Sequence, residues 1–210
     1  MLFFDTPDPA PNPRRVRIFA GEKGIALPTQ TVAIAKGEHR QPDYLAVNPL
    51  GQTPSLKLND GEVLTESVAI CRYLEGLHPE PPLFGCDALD AARIEMWSRR
   101  VEMRLMVPVS MVWVHTHAFT ARITPRFTEW GEANKPRIQA AFEHFDERLR
   151  ESRYLTGDHF TMADILLLTT ADFSAFIGEP FGPGMAGLAR WHQEVSARPS
   201  VSGVPKEVAA

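Results

Sequence analysis

Asn48-Pro49-Leu50-Gly51-Gln52-Thr53-Pro54, Ser55-Leu56-Lys57-Leu58, Asn59-Asp60-Gly61, Val63-Leu64 and then Thr65 through Leu77 make up the stretch whose reading decides the fold. Asn48 to Gly51 are turn formers. The two short apolar runs flank an Asp-Gly pair, which tolerates positive φ and so predicts a β-hairpin. Thr65 is the expected cap of a helix whose buried face is Ile70, Leu74 and Leu77. Upstream, Leu2-Phe3-Phe4 reads as a short buried strand, ended by Asp5-Thr6-Pro7-Asp8-Pro9. Val16, Phe19 and Ala20 then repeat at helical spacing, with Asn12 as N-cap, Pro13 in the first helical position and Gly24 as the stop. Thr29 to Ala35 is alternating and β-branched, a second strand. The polar loop Lys36-Gly37-Glu38-His39-Arg40 and a helical turn around Asp43 to Val47 complete the order β-α-β, hairpin, α.

Downstream, no helix or central strand can cross His78-Pro79-Glu80-Pro81-Pro82. The expected division is a first domain over 1–78, a linker over 79–85 and an all-helical domain over 86–210. Met96, Met103, Val107, Met111 and Val114 mark one long helix, with a bend expected at Pro108. Ile138, Phe142, Phe145 and Leu149 mark another, and Leu188, Trp191 and Val195 a last one. Ile165 to Leu168 are apolar all round, which predicts a helix buried in the middle of the bundle. Its start, Thr161-Met162-Ala163-Asp164, has the spacing of a capping box, with Phe160 and Ile165 placed as a hydrophobic staple. That is a stability device, and losing the cap would cost on the order of 1 kcal/mol.

Composition narrows the function classes. With 22 basic against 26 acidic residues among 210, the net charge of −4 supplies no positive field for a nucleic acid backbone. Cys71 and Cys86 cannot form a disulfide framework and match no zinc spacing; both read as inert thiols. The uncharged apolar run from Met106 to Val114 is half the length of a membrane span, and Met1 to Asp5 lacks the pattern of a signal peptide. A cytoplasmic location is the expectation.

Three segments in order carry a resemblance: Asn48 to Pro54, Leu64-Thr65-Glu66-Ser67-Val68-Ala69-Ile70, and Gly157-Asp158-His159-Phe160-Thr161-Met162-Ala163-Asp164. Together they resemble the cytosolic glutathione S-transferases over essentially the whole chain. The resemblance implies an α/β thioredoxin-like N-terminal domain with a mixed four-stranded sheet (βαβ-ββα), an all-α C-terminal bundle, and a homodimer. It also implies glutathione as co-substrate. In that family Pro54 would be cis, and the backbone of Thr53 would pair with the cysteinyl part of glutathione. Ser67 would bind the γ-glutamyl carboxylate at the helix N-terminus, and Glu66 the ammonium of the same group. His39 would contact the glycyl carboxylate, with Arg40 or Lys36 as substitutes.

Conjugation needs a thiolate, and a free thiol has a pKa of about 8.5. Relatives use Tyr, Ser or Cys near the first strand and helix, whereas residues 1–15 here have none, and Ala10 falls near the place where theta-type enzymes keep serine. The segment Asn12-Pro13-Arg14-Arg15-Val16-Arg17-Ile18-Phe19 is similar to the yeast-type and bacterial subgroup that lacks this residue. Groups from the helical domain and an ordered water would then act on the sulfur. The candidates are His115 and His117, of which one faces the cleft because i, i+2 residues do not share a helical face, and Asn12 as an alternative donor. The same spacing, without acidic or cysteine neighbours, argues against a metal. A hydrophobic electrophile would be received between the domains by Met106, Ser110, Met111, Trp113 and Phe119, side chains that core or subunit contacts would suit equally well. Glutathione-dependent peroxidase or isomerase chemistry, or a non-catalytic binding protein, are the other readings of such a chain.

Overall fold

Phe3 and Phe4 are adjacent in sequence and both buried, so the strand that carries them is covered on both faces. The computed structural model describes residues 1–122 and 124–203. Strand β1 (Leu2–Asp5) lies parallel to β2 (Thr29–Thr31) and antiparallel to β3 (Ser55–Lys57), which pairs with β4 (Val63–Thr65). The sheet is four-stranded and mixed, in the order β2-β1-β3-β4, as expected. Helix α1 (Pro11–Lys23) connects β1 to β2 and packs with α3 (Ser67–Leu77), while Tyr44 of the short α2 (Pro42–Leu45) sits edge-on to Phe4 at 5.7 Å. Phe4, Val32 and Tyr44 form their own small core.

Several local expectations need correction. Strand β2 stops at Thr31, because the next residues turn into two 3-10 segments, Ile34–Lys36 and Glu38–Arg40. Helix α1 starts at Pro11, with Ala10 as N-cap, so Asn12 lies inside the helix and Pro13 is its third residue. Gly24 is the C-cap as expected, its N–H reaching the carbonyls of Ala20 and Gly21. Helix α3 is capped by Glu66, not Thr65, and Leu77 is 49% exposed at its last position.

The chain divides into two compact units, one of Met1–Pro82 with the segment from Arg198 onward, the other of Leu83–Ala197. The return of the chain to the first unit has a clear cause. Glu22 of α1 is buried, and Arg198, just ahead of α9 (Pro199–Ser202), grips its carboxylate with two bonds of 2.9 and 2.7 Å.

The second unit is helical: α4 (Ala88–Arg100), a π-helical turn (Val101–Met106), α5 (Val107–Thr116), α6 (Thr128–Glu151), α7 (Met162–Phe176) and α8 (Ala186–Ser196). Pro108 does not simply bend the long helix. A proline ring clashes with the carbonyl four residues back, and here the chain widens so that the Val107 N–H bonds to Glu102. The buried stripe is Ile94, Trp97, Val101, Leu105, Val109 and Val112. Met96, Met103 and Val107, whose spacing marked the helix, are exposed, Met103 by 67%. Two apolar stripes run along this helix, and the one that holds Trp97 occupies the interior. Helix α7 is the buried centre, with Ile165 to Leu168 fully enclosed. The capping box is present, with the Thr161 hydroxyl and the Asp164 carboxylate each bonding the other's backbone N–H. No helix among the described residues is long and apolar enough to cross a membrane.

Candidate functional site

In the first unit, the turn between α2 and β3 is built from buried polar contacts. Asn48 is buried; its amide donates to the Gln52 carbonyl at 2.7 Å and its oxygen accepts the Leu50 N–H at 3.1 Å. The Tyr44 hydroxyl donates to the same Gln52 carbonyl at 2.6 Å. Gly51 has a φ of 60°, and a Cβ there would lie 2.7 Å from the His39 carbonyl oxygen, so this glycine lets the turn press against the His39 segment. The turn ends in a cis Thr53-Pro54 bond. Among the described residues no hydrogen bond pairs the Thr53 backbone N–H or C=O, while its side chain meets Thr6 at 2.9 Å. Thr6 is buried at the end of β1, and its hydroxyl proton is committed to the Val32 carbonyl at 3.0 Å.

The hairpin then delivers the chain to α3. Glu66 has a φ of 64°, the left-handed region that a non-glycine residue enters at a cost of about 1–3 kcal/mol. Its carbonyl accepts the Ile70 N–H, the first i→i−4 bond of the helix, so the N–H groups ahead of Ile70 have no intrahelical acceptor. Ser67 is the first helical residue and is buried. Nη1 of the Arg15 guanidinium donates to the Ser67 hydroxyl at 3.4 Å and to the Asn12 carboxamide oxygen at 2.7 Å. Because guanidinium only donates, Asn12 must present its oxygen to Arg15, which leaves its NH2 group as the donor facing elsewhere. Asn12 and Ser67 are thus brought together through one buried arginine.

The Lys36 to Arg40 loop is pinned, not free: the Glu38 carboxylate accepts the Ala33 N–H at 2.7 Å. His39 is half-buried, with a buried Nδ1 that finds no partner among the described residues. Burial, then the Arg40 cation, holds its pKa below the ordinary value, so the ring is neutral at pH 7. Arg40 is exposed and donates to the Leu50 carbonyl at 3.3 Å.

In the second unit the two histidines face different surroundings, although the helical-spacing argument does not apply, since only His115 lies within α5. His115 accepts the Phe127 N–H on Nδ1 at 3.3 Å and packs edge-on to the Phe127 ring. His117 lies just past the end of α5, accepts the Phe119 N–H on Nδ1 at 3.2 Å and stacks on Trp113 at 4.3 Å. An acceptor at Nδ1 places the proton of a neutral ring on Nε2. Trp113 also stacks on Phe119 and meets Phe173 and Phe176 of α7. Met106, Ser110, Trp113 and His117 follow steps of four, three and four along this run, and the Met106 sulfur accepts from Thr170 of α7. Met111 is off that line and half-buried. Among the described residues no three His, Cys, Asp or Glu side chains gather as a metal would require.

Two family models match the chain: glutathione S-transferase, N-terminal domain, over residues 10–77, and glutathione S-transferase, C-terminal domain, over residues 112–199. Glutathione S-transferase 2 of Saccharomyces cerevisiae is 36% identical over 208 residues, covering 96% of this chain and 88% of that protein. The chain belongs to the glutathione S-transferase family. The fold agrees with that family's solved structures. A glutathione S-transferase domain-containing protein of Marinobacter aquaeolei matches with a TM-score of 0.90 at 34% identity, covering 96% of this chain and all of that one. The crystal structure of Gtt2 from Saccharomyces cerevisiae matches with a TM-score of 0.89 at 34% identity, covering 97% of this chain and 99% of that one.

For a glutathione S-transferase, the position of Ala10 is informative: it is the N-cap of α1 and offers no side-chain cap or donor. Thr6, Arg15, Phe173 and Phe176, which contact candidate residues in the fold, were not singled out by the sequence. Threonine at a strand end and arginine in a helix are ordinary, and the two phenylalanines lie on a helix that reads as core. The one available signal was Arg15 itself, a charged residue beside Val16 and Ile18 on an otherwise buried face.

Proposed function

We propose that this chain is a glutathione transferase that binds glutathione in its first unit, lowers the pKa of the bound thiol and directs the thiolate at a hydrophobic electrophile. The observation that carries the reading is the pairing of the cis Thr53-Pro54 turn, whose Thr53 backbone is unpaired among the described residues, with the Ser67 end of α3. Thr53 N–H and C=O suit the backbone of the cysteinyl residue. Ser67 and the first N–H groups of α3 suit the γ-glutamyl carboxylate, and the exposed Glu66 carboxylate its ammonium. Arg40 brings the positive charge for the glycyl carboxylate, and His39, neutral, an N–H donor.

The mechanism needs no protein nucleophile, because the ligand carries the sulfur. Its thiol loses its proton to solvent, the thiolate attacks the electrophilic atom, and the leaving group departs or the adduct takes up a proton. The protein's part is to hold the anion with donors that gain strength as charge develops. Asn12 offers its NH2 group and its own backbone N–H; Pro11 and Pro13 have no N–H, and that of Ala10 is bonded to the Pro7 carbonyl. Of the two histidines, His117 is favoured, since its Nε2 proton belongs to a ring grouped with Trp113 and Phe119, while His115 is engaged with the start of α6. The aromatic group of Trp113, Phe119, Phe173 and Phe176 suits the electrophile.

Ser67→Ala should raise the KM for glutathione about tenfold with little change in kcat at saturation, the pattern of a lost binding contact. Conjugation of an aromatic halide is the assay, with an organic hydroperoxide as the arm for peroxidase chemistry. Hydroperoxide turnover without conjugation would replace the transfer reading.

We read the protein as a homodimer. Leu89, Met96, Met103 and Val107, spaced by seven, seven and four, are exposed along one face of the α4–α5 run. Met103→Glu should convert a dimer of about 47 kDa to monomer in light scattering, the dimer mass being twice the chain mass of 23.4 kDa. A wild type that is already monomeric would end this reading.

A further inference from the structure

Arg15 carries a permanent charge, yet only 4% of it is exposed. It lies in α1, one turn in, with Asn12 three residues before it on the same side of the helix. Its guanidinium reaches across to the hydroxyl of Ser67, the first residue of α3. It is close enough to Cys71, one turn further along α3, to pull that thiol's pKa down, although burial dominates and pushes the thiol up. The charge therefore sits behind the N-terminal turn of α3, where the helix already presents unpaired N–H groups. A buried cation at this place adds to the positive end of the helix, and it does so in a low-dielectric setting where the field is screened little by water. It also fixes the serine: a hydroxyl that accepts from Arg15 has its own proton left to donate, so it points a donor toward whatever lies at the helix end. A lysine would keep the charge, but as an ammonium on a flexible stem without the fixed donor geometry of the guanidinium.

Resting on the glutathione reading above, we propose that Arg15 is a positioning residue for the γ-glutamyl carboxylate, acting through Ser67 from beneath the site. The test is binding of two peptides by titration calorimetry: glutathione, and 4-aminobutyryl-cysteinylglycine, which lacks only that carboxylate. Arg15→Met should weaken glutathione about 10- to 100-fold, the range of a charge-assisted contact, and leave the shortened peptide within about twofold. Arg15→Lys should fall between Arg15→Met and wild type for glutathione and again spare the shortened peptide. It decides the matter if the methionine variant does not fold. Equal losses for both peptides, or no loss for either, would overturn the proposal, because a merely structural arginine cannot tell the two apart. Failure of the wild type to bind glutathione would instead remove the functional reading on which the proposal rests.

Discussion

Replacing Asp164 with alanine should lower the stability of the protein by about 3–5 kcal/mol, far more than the usual worth of a helix cap. The reason is the number of buried groups that share this one carboxylate. One oxygen accepts the Leu155 N–H at 3.1 Å and the Trp191 indole N–H at 3.0 Å; the other accepts the Thr161 N–H and hydroxyl, both at 3.1 Å. Asp164, Leu155 and Trp191 are all fully buried, so the orphaned donors would find no water. Asp164→Asn should cost less than alanine yet still much, since its oxygen can serve Leu155 and Trp191 while its NH2 group would face the Thr161 donors. For a chain of this length the alanine change corresponds to a fall of about 10–15 °C in Tm. A fall under about 3 °C would show that the network is not worth what its geometry implies.

The same residue sets a pH dependence. Burial outweighs its four donors and raises the Asp164 pKa to about 6, above its ordinary 3.8. The folded state then holds a proton that the unfolded state has lost, so this group's contribution to stability rises as pH falls from about 6 to about 4 and is lost as pH rises through 6. Unfolding of wild type at pH 7 and pH 5 should show that component, and Asp164→Ala should lack it.

Gly187→Ala should cost about 3 kcal/mol although alanine is the better helix former. Intrinsic propensity favours alanine over glycine by about 1 kcal/mol. Against it, a Cβ at 187 would lie 2.6 Å from the Asp146 carbonyl oxygen and 2.8 Å from the Arg150 nitrogen, both backbone atoms of α6 that cannot swing away. Helix α8 would have to back off, loosening the enclosed Leu188 and Trp191 and the 3.0 Å bond from the Leu188 N–H to the Asp146 carboxylate. Gly184→Ala is the control, with nothing within 4 Å of the added methyl. If the two substitutions behave alike in denaturant unfolding, the close approach of α8 to α6 is not what holds this part of the bundle.

How much the sequence disclosed depended on whether one physical signal dominated. The Asp-Gly hairpin, the Gly24 stop, the all-apolar Ile165 to Leu168 segment and the Thr161–Asp164 box each had a single strong cause, and each is present. Signals failed where two causes competed. Pro11 and Pro13 both suit a helix start, and the earlier one begins α1, which removes Asn12 from the cap. Met96, Met103 and Val107 form a regular stripe, but Ile94, Trp97, Val101 and Leu105 form another, and local periodicity cannot rank them. In the candidate site, Thr53, Pro54, Glu66 and Ser67 came into view only through the resemblance carried by three short motifs in order. Thr6 and Arg15 did not, since their neighbours Thr53 and Ser67 lie 47 and 52 residues away and only the folded chain brings them together.

The central claim is that this scaffold binds glutathione and stabilises its thiolate without a Tyr, Ser or Cys at the usual place. Its most direct test is the ultraviolet thiolate absorbance of bound glutathione as a function of pH. The account predicts saturable binding and a bound thiol that titrates about one unit or more below the free value of about 8.5, with the shift reduced in Asn12→Ala and in His117→Ala. A bound thiol that titrates with the free one, or no saturable binding, would contradict it.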